Sequence, residues 1–352
     1  MLVIQKYITK EIFKLTLIVL FALVVVFSVF HFLEELDNNY PVTEKFRYIL
    51  YSLPVFSNLI SMLAVFIGST IFIGQLNYRR EMQVIFTSGV SYTVFIKKIS
   101  IVIFFVSVLL SSFGEIYSPY FYEKSNQIKS VALGKQFNNK VSNIWLAKDK
   151  TFVNIDSSIE GNKFNGINIY EFNSENILSN FVTSEEGYLE NQSLKIPLAN
   201  SVSIISDLGI FSQNHSVEKF NMILNTDQLQ NLKNDLSSMN LMELIESAKF
   251  SNSYGLRSDE YIHEILSRIT KPLIALGLFL IALPFVVNFS RNVSIGNMVF
   301  TSITIALLFN LFLRLFGVYA SNYGLNVYLT SLLPIVLLYL VGFLNLNRSV
   351  KR

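Results

Sequence analysis

The chain contains no cysteine, three histidines and one tryptophan. Without a thiol, disulfide frameworks, thiolate zinc sites and cysteine nucleophiles are excluded together. His31, His215 and His263 lie far apart in sequence, so no local metal-ligand spacing exists. Charge is scarce as well: 15% of the 352 residues are Asp, Glu, Lys or Arg, against about 25% in an average soluble domain. A net charge of +3 is too small to point to nucleic acid. Gly134-Lys135 lacks both the upstream glycine and the Ser/Thr of a phosphate-binding loop. Neither a G-x-S-x-G elbow nor an H-E-x-x-H pair occurs.

What the chain has is hydrocarbon. Hydrophobic residues make up 51% of it, and the mean hydropathy is +0.45. A bilayer core of about 30 Å takes about 20 apolar residues as helix. Six stretches meet or approach that length: Leu15 to Phe32, a segment within Tyr48 to Leu76, Ile99 to Gly114, Pro272 to Ser290, Met298 to Val318 and Val327 to Leu344. The third is short and can continue through Tyr117 and Tyr120. Lys6, Lys10 and Lys14 ahead of the first stretch also fit a cleaved signal peptide. Phe30-His31-Phe32-Leu33-Glu34-Glu35 is no small-residue cleavage site, which favours an uncleaved span. About 150 residues separate the third and fourth stretches, giving a three-plus-three organisation around an inserted domain.

Loop charges set the expected orientation. With the N-terminus inside, the inner segments hold Lys6, Lys10, Lys14, Arg79, Arg80, Lys97, Lys98, Arg291, Arg348, Lys351 and Arg352 against Glu11 and Glu81. The first outer loop holds Glu34, Glu35, Asp37 and Glu44 against Lys45 and Arg47, and residues 319–326 carry no charge. Both termini are therefore expected in the cytoplasm and the inserted domain outside the membrane.

The inserted block reads as β from Asn143 to about Leu224. Trp145 to Ile155 looks like a hairpin turning at Lys148 to Lys150. Further pieces follow at Gly166 to Phe172, Ile177 to Thr183, Gly187 to Leu189, Val202 to Ile205 and Phe220 to Leu224. Short spacing between Asn, Asp, Ser and Gly clusters favours an antiparallel sandwich or open barrel. Leu229, Leu232, Leu236, Met239, Leu241, Leu244, Ile245 and Ala248 then keep a helical period. A second helix, Ser258 to Thr270, leads to Pro272, placed where a proline can start a span. The expected domains are 1–120 (three spans, with a short cytoplasmic helix near 77–91), 121–226 (all-β), 227–271 (helical connector) and 272–352 (three spans and a tail).

Three groups of residues are candidates for function. Asn77-Tyr78-Arg79-Arg80-Glu81-Met82-Gln83-Val84-Ile85-Phe86-Thr87-Ser88-Gly89 forms an amphipathic inner loop. Residue chemistry admits two readings of it: a membrane-surface turn with its arginines on lipid phosphates, or a docking helix for a cytoplasmic partner, with Gly89 as its cap. Arg314 lies in the fifth span, about 16 residues or roughly 24 Å from its inner start. An ionisable group at that depth faces a cavity or a partner, and a guanidinium suits phosphate; pairing with Glu34, Glu35 or Asp37, or snorkelling, is the alternative. Lys14 and His31, near the two ends of span one, join Arg314 as lipid-binding candidates. Glu34, Glu35 and Asp37 read as a solvated loop face rather than a catalytic or cation site.

The chain resembles the LptF/LptG family, the permeases of lipopolysaccharide export. The likeness rests on the three-plus-three topology and on Arg80-Glu81 followed by Thr87-Ser88-Gly89-Val90-Ser91. It rests also on Trp145-Leu146-Ala147-Lys148-Asp149-Lys150-Thr151-Phe152-Val153, similar to the LptG branch with Lys150 where glycine is usual. The fourth feature is the run from Tyr261 through Arg268 and Pro272 to Pro284-Phe285. The resemblance implies six transmembrane helices (3+3) with an inserted periplasmic jellyroll-like domain in the inner membrane. It further implies an ABC-transporter permease that is no enzyme and binds no cofactor or metal. An LptB-like cytoplasmic ATPase dimer would supply the energy, an LptF-like permease would complete a heterodimer, and an LptC/LptA-like bridge would receive lipopolysaccharide. Arg80, Glu81, Phe86 and Gly89 occupy the ATPase-coupling positions. Other ABC exporters of the lipoprotein-release or efflux type usually have four spans. A membrane-anchored ligand-binding sensor would need a cytoplasmic output domain, and a lipid-modifying enzyme would need convergent acids and bases.

Overall fold

The computed structural model describes residues 2–134, 142–158, 163–190, 193–205, 209–220, 235–288, 295–323 and 325–350. The chain divides into two compact units, Met1–Lys135 with His263–Arg352, and Gln136–Ile262.

In the first unit, helix α1 (Leu2–Glu35) is followed by α2 (Val42–Tyr78), the short α3 (Glu81–Thr87) and α4 (Tyr92–Ala132). After the inserted unit come α6 (Asp259–Asn288), α7 (Ile295–Asn322) and α8 (Val327–Val350). All of these but α3 are long and apolar enough to cross a membrane, giving the six expected spans. Each outruns its apolar stretch, because the backbone hydrogen-bond ladder continues through polar residues once a helix is nucleated. The third span is the extreme case: α4 runs 41 residues and passes through Pro119. Ser290 and Arg291, at the expected end of the fourth span, lie outside the described residues, as do Lys351 and Arg352.

Pro272 does not start a helix, contrary to expectation. It lies inside α6, with Pro284 further along. The preceding residues are already helical and braced by an i,i+4 bond between Glu264 and Arg268. The helix therefore reaches the proline from upstream and continues, as apolar helices packed among neighbours allow.

Helix α2 is the centre of this unit. Its most apolar window is 72% buried, against 11% for α1. Phe66 and Phe72 of α2, Phe95 of α4, Phe279 of α6 and Ile8 and Ile12 of α1 are almost wholly enclosed. The crossing of α1 and α2 is close enough to need a missing side chain: a Cβ on Gly68 would sit 2.9 Å from the backbone N and Cα of Thr16. The two halves of the bundle meet where the Thr70 and Ser302 hydroxyls approach to 2.8 Å.

The inserted unit is an antiparallel six-stranded half-barrel in sequential order. Its strands are β1 (Ser142–Lys148), β2 (Thr151–Ser158), β3 (Lys163–Phe172), β4 (Leu178–Glu190), β5 (Ser193–Ile205) and β6 (Gly209–Phe220). The expected pieces Ile177–Thr183 and Gly187–Leu189 are one strand, β4. The part of the last expected piece beyond Phe220, and Leu229 and Leu232, lie outside the described residues. Leu146, Val153, Ile155, Ile167, Ile169 and Leu194 point to one face. Phe250 and Tyr254 from α5 (Leu241–Ser253) and its cap close that face. The Ala147 amide donates to the Tyr254 carbonyl at 2.9 Å, and burial pushes the Tyr254 hydroxyl pKa up. On the opposite face Trp145 stacks on Tyr170 at 5.8 Å. The first hairpin turns at Asp149, which takes the left-handed conformation at φ 54°. Lys150 is thereby free of that demand. Its ammonium donates to the carbonyls of Asn173 and Ser174 at 2.9 and 2.7 Å, tying this turn to the next.

Candidate functional site

The α2–α3–α4 corner gathers the four expected coupling residues. Helix α2 stops at Tyr78, and Arg80 turns the chain with a left-handed φ of 58°. That single reversal sends α3 off in a new direction. Met82 of α3 is buried, and Phe86 meets Phe95 of α4 edge-on at 5.6 Å. Gly89, at φ 89°, lets the chain turn again into α4, whose first turn is capped when the Ser91 hydroxyl accepts from the Val94 amide. The apolar side of α3 is thus fixed to the bundle. Val84 is 68% exposed on the other side, so the corner presents both a charged and an apolar group outward.

Glu81 opens α3 and reaches across to α1. The Tyr7 hydroxyl donates to its Oε2 at 2.8 Å. Its Oε1 lies 3.8 Å from the Arg79 guanidinium, a loose pair with both side chains more than a third exposed. The carboxylate is anchored on one oxygen and accessible on the other. Sequence reasoning missed Tyr7, which stands 74 residues from its partner.

The three lipid-binding candidates do not converge in what is described. Lys14 and His31 both lie on α1, about 25 Å apart along its axis. Lys14 is exposed. His31 sits between Glu34 and the Tyr48 hydroxyl, 3.2 Å from each. Arg314 lies on α7, and its side chain is outside the described residues. Between the levels of Lys14 and His31, α1, α2 and α4 border a wide-open apolar depression of about 630 Å³, lined by Leu17, Phe21, Val24, Pro54 and Tyr117 among others. That volume is in the range of small-ligand sites.

Glu35 is not the solvated loop residue expected. It is 2% exposed and accepts from Lys129 on α4, from the Tyr40 hydroxyl at 2.8 Å and from Asn38 at 2.7 Å. A buried carboxylate persists only with such partners. Glu34 is 77% exposed and faces His31. Burial, followed by the bond to Glu35, pushes the Tyr40 hydroxyl pKa up. No group of three or more metal-type ligands occurs among the described residues.

A second buried ionic cluster was also missed. Arg268 of α6, 8% exposed, reaches Glu115 of α4 at 2.9 Å and Glu264 at 2.7 Å. The i,i+4 spacing of Glu264 and Arg268 was a readable clue, whereas Glu115 follows an uncharged run with nothing to mark its partner.

Residues 6–348 match the sequence model of the family described as "Lipopolysaccharide export system permease LptF/LptG". The chain is 23% identical to the lipopolysaccharide export system permease protein LptG of Escherichia coli K12, over 99% of this chain and 98% of that protein. It is 20% identical to the protein of the same name from Haemophilus influenzae, over 98% of each.

Proposed function

The chain belongs to the LptF/LptG family of lipopolysaccharide export permeases, and from that premise we propose that it is one permease subunit of an ATP-driven exporter. Both termini and the α2–α4 corner face the cytoplasm of a bacterial inner membrane, and the half-barrel stands in the periplasm. An LptF-like permease completes a heterodimer. An LptB-like ATPase dimer docks on α3 through Arg80, Glu81, Phe86 and Gly89. Lipopolysaccharide is extracted from the membrane and passed to an LptC/LptA-like bridge, with Lys14, His31 and Arg314 engaging its phosphates. The nucleotide site lies on the ATPase subunit, in keeping with the lack of a phosphate-loop motif in this sequence.

The observation that carries this reading is Glu81. It sits at the head of a seven-residue helix slung between two long spans, with one carboxylate oxygen fixed and the other open to an incoming cation. The apolar crevice beside α1 supports the lipid half of the reading. The test is a tagged pull-down from gently solubilised membranes with ATPase assayed in the eluate. Wild type should bring down an ATPase and Glu81→Lys should lose it. A wild-type eluate without ATPase overturns the proposal.

A further inference from the structure

We propose that Tyr7 is a positioning residue whose hydroxyl fastens the docking carboxylate of Glu81 to the first turns of α1, so that movement of α3 is delivered to α1 as well as to α2 and α4. This rests on the reading of Glu81 as the ATPase-docking group.

The connectivity makes the point. Helix α3 is joined covalently to α2 through Arg79 and Arg80 and to α4 through residues 88–91. It has no such joint to α1. A directional link between them spans 74 residues of sequence: the Tyr7 hydroxyl on Glu81 Oε2 at 2.8 Å. The Tyr7 ring is itself seated against Phe72 of α2, with ring centroids 6.2 Å apart, so the hydroxyl is aimed and not merely nearby. The next turns of α1 carry Ile8 and Ile12, both wholly buried. Beyond them α1 is mostly open, its most apolar window being 11% buried. The buried face of the stretch from Ile8 to Thr16 is thus the grip, and Tyr7 sits at its N-terminal end, from which the more open remainder of α1, with the crevice wall and His31, can be moved.

Carboxylate chemistry permits both attachments at once. One oxygen holds the phenol, and the other faces a loose, exposed pair with Arg79 at 3.8 Å. An arginine or lysine from a partner can displace Arg79 without disturbing Tyr7, because a carboxylate offers about four acceptor sites.

The test uses the whole permease–ATPase complex in proteoliposomes, comparing wild type, Tyr7→Phe, Glu81→Ala and the double variant. Tyr7→Phe removes one oxygen and keeps the ring on Phe72. It should leave the amount of co-purified ATPase, its KM for ATP and the thermal midpoint of the complex at wild-type values. Lipopolysaccharide released per ATP hydrolysed should fall several-fold. The double variant should lose no more of that ratio than Glu81→Ala alone, since either change removes the same bond. An unchanged ratio in Tyr7→Phe, or losses that add in the double variant, overturns the proposal. So does a Tyr7→Phe complex that sheds its ATPase, which would make Tyr7 an assembly contact. A wild type that captures no ATPase removes the underlying docking reading instead, and this proposal with it.

Discussion

The guanidinium of Arg268 on α6 sits 2.9 Å from the carboxylate of Glu115 on α4, joining the first three spans to the last three by an ion pair almost sealed from solvent. Glu264 takes a second face of the same cation at 2.7 Å. Arg268→Met should take the nearest cation from two carboxylates and leave them the more distant field of Lys271. Breaking a fully buried pair costs about 3–5 kcal/mol. Here that is an upper bound, because Glu115 and Glu264 keep 21% and 29% exposure. Thermal unfolding of the detergent-solubilised protein should show a clear fall for Arg268→Met. Much of it should return in Arg268→Met with Glu115→Gln and Glu264→Gln. No recovery in the triple variant would mean that Arg268 acts through packing instead of charge.

Gly68 is expected to tolerate no side chain. Its missing Cβ leaves room for the Thr16 backbone at 2.9 Å, and overpacking of this kind costs about 1–3 kcal/mol. Gly68→Ala should lower the thermal midpoint, and Thr16→Ala should not fully rescue it, because the main-chain N and Cα of Thr16 remain at 2.9 Å after its Oγ1, at the same distance, is removed. A full rescue would place the conflict at the Thr16 hydroxyl.

Tyr40 gives a pH dependence with a definite sign. Its hydroxyl pKa is raised by burial and by the bond to Glu35, above an unfolded value of about 10. The folded state thus favours the neutral phenol. The resulting stabilisation is complete below about pH 10 and drains as pH climbs toward the raised value. Tyr40→Phe should be less stable than wild type at pH 8 by about 1.5–3 kcal/mol, the worth of a hydrogen bond to a charged group. The gap should narrow above about pH 10, as the phenol of the unfolded chain ionises while the folded one keeps its proton. A gap that stays constant through that range would show that the Tyr40 hydroxyl has the same pKa in both states.

Spans were legible because a bilayer demands long apolar runs, and the described residues of each run lie in one helix. Their ends were not, since helices such as α4 continue well past the last apolar residue. The turn of the first hairpin was legible to within a residue, because Trp145 to Lys148 and Thr151 to Ile155 flank a polar turn, while the outer ends of both strands run three residues further. Strand β5 was read only at Val202 to Ile205: Pro197, inside the unbroken apolar run Ile196 to Ala199, interrupts the alternation that marks a strand. Arg80, Glu81, Phe86 and Gly89 could be grouped because they share one short loop. Tyr7, Lys129 and Glu115 could not be assigned roles, because their partners are set by helix crossings that sequence spacing does not reveal. Glu35 and Pro272 were misread for related reasons. A carboxylate beside a loop looks solvated until the helix supplying its lysine is in place, and a proline at the head of an apolar run looks like a beginning until the polar turns before it prove helical.

The sequential order of the half-barrel has a consequence for how the protein is made. Each strand pairs with the one synthesised just before it, so every ladder closes over a short loop, the arrangement that folds fastest. A growing chain can lay down the sheet strand by strand through β6 while the last three spans are still on the ribosome. Only the lid supplied by Phe250 and Tyr254 arrives later, just ahead of α6. The ladders of β1 to β6 draw no strand from the last three spans, so the sheet can form before those spans are made.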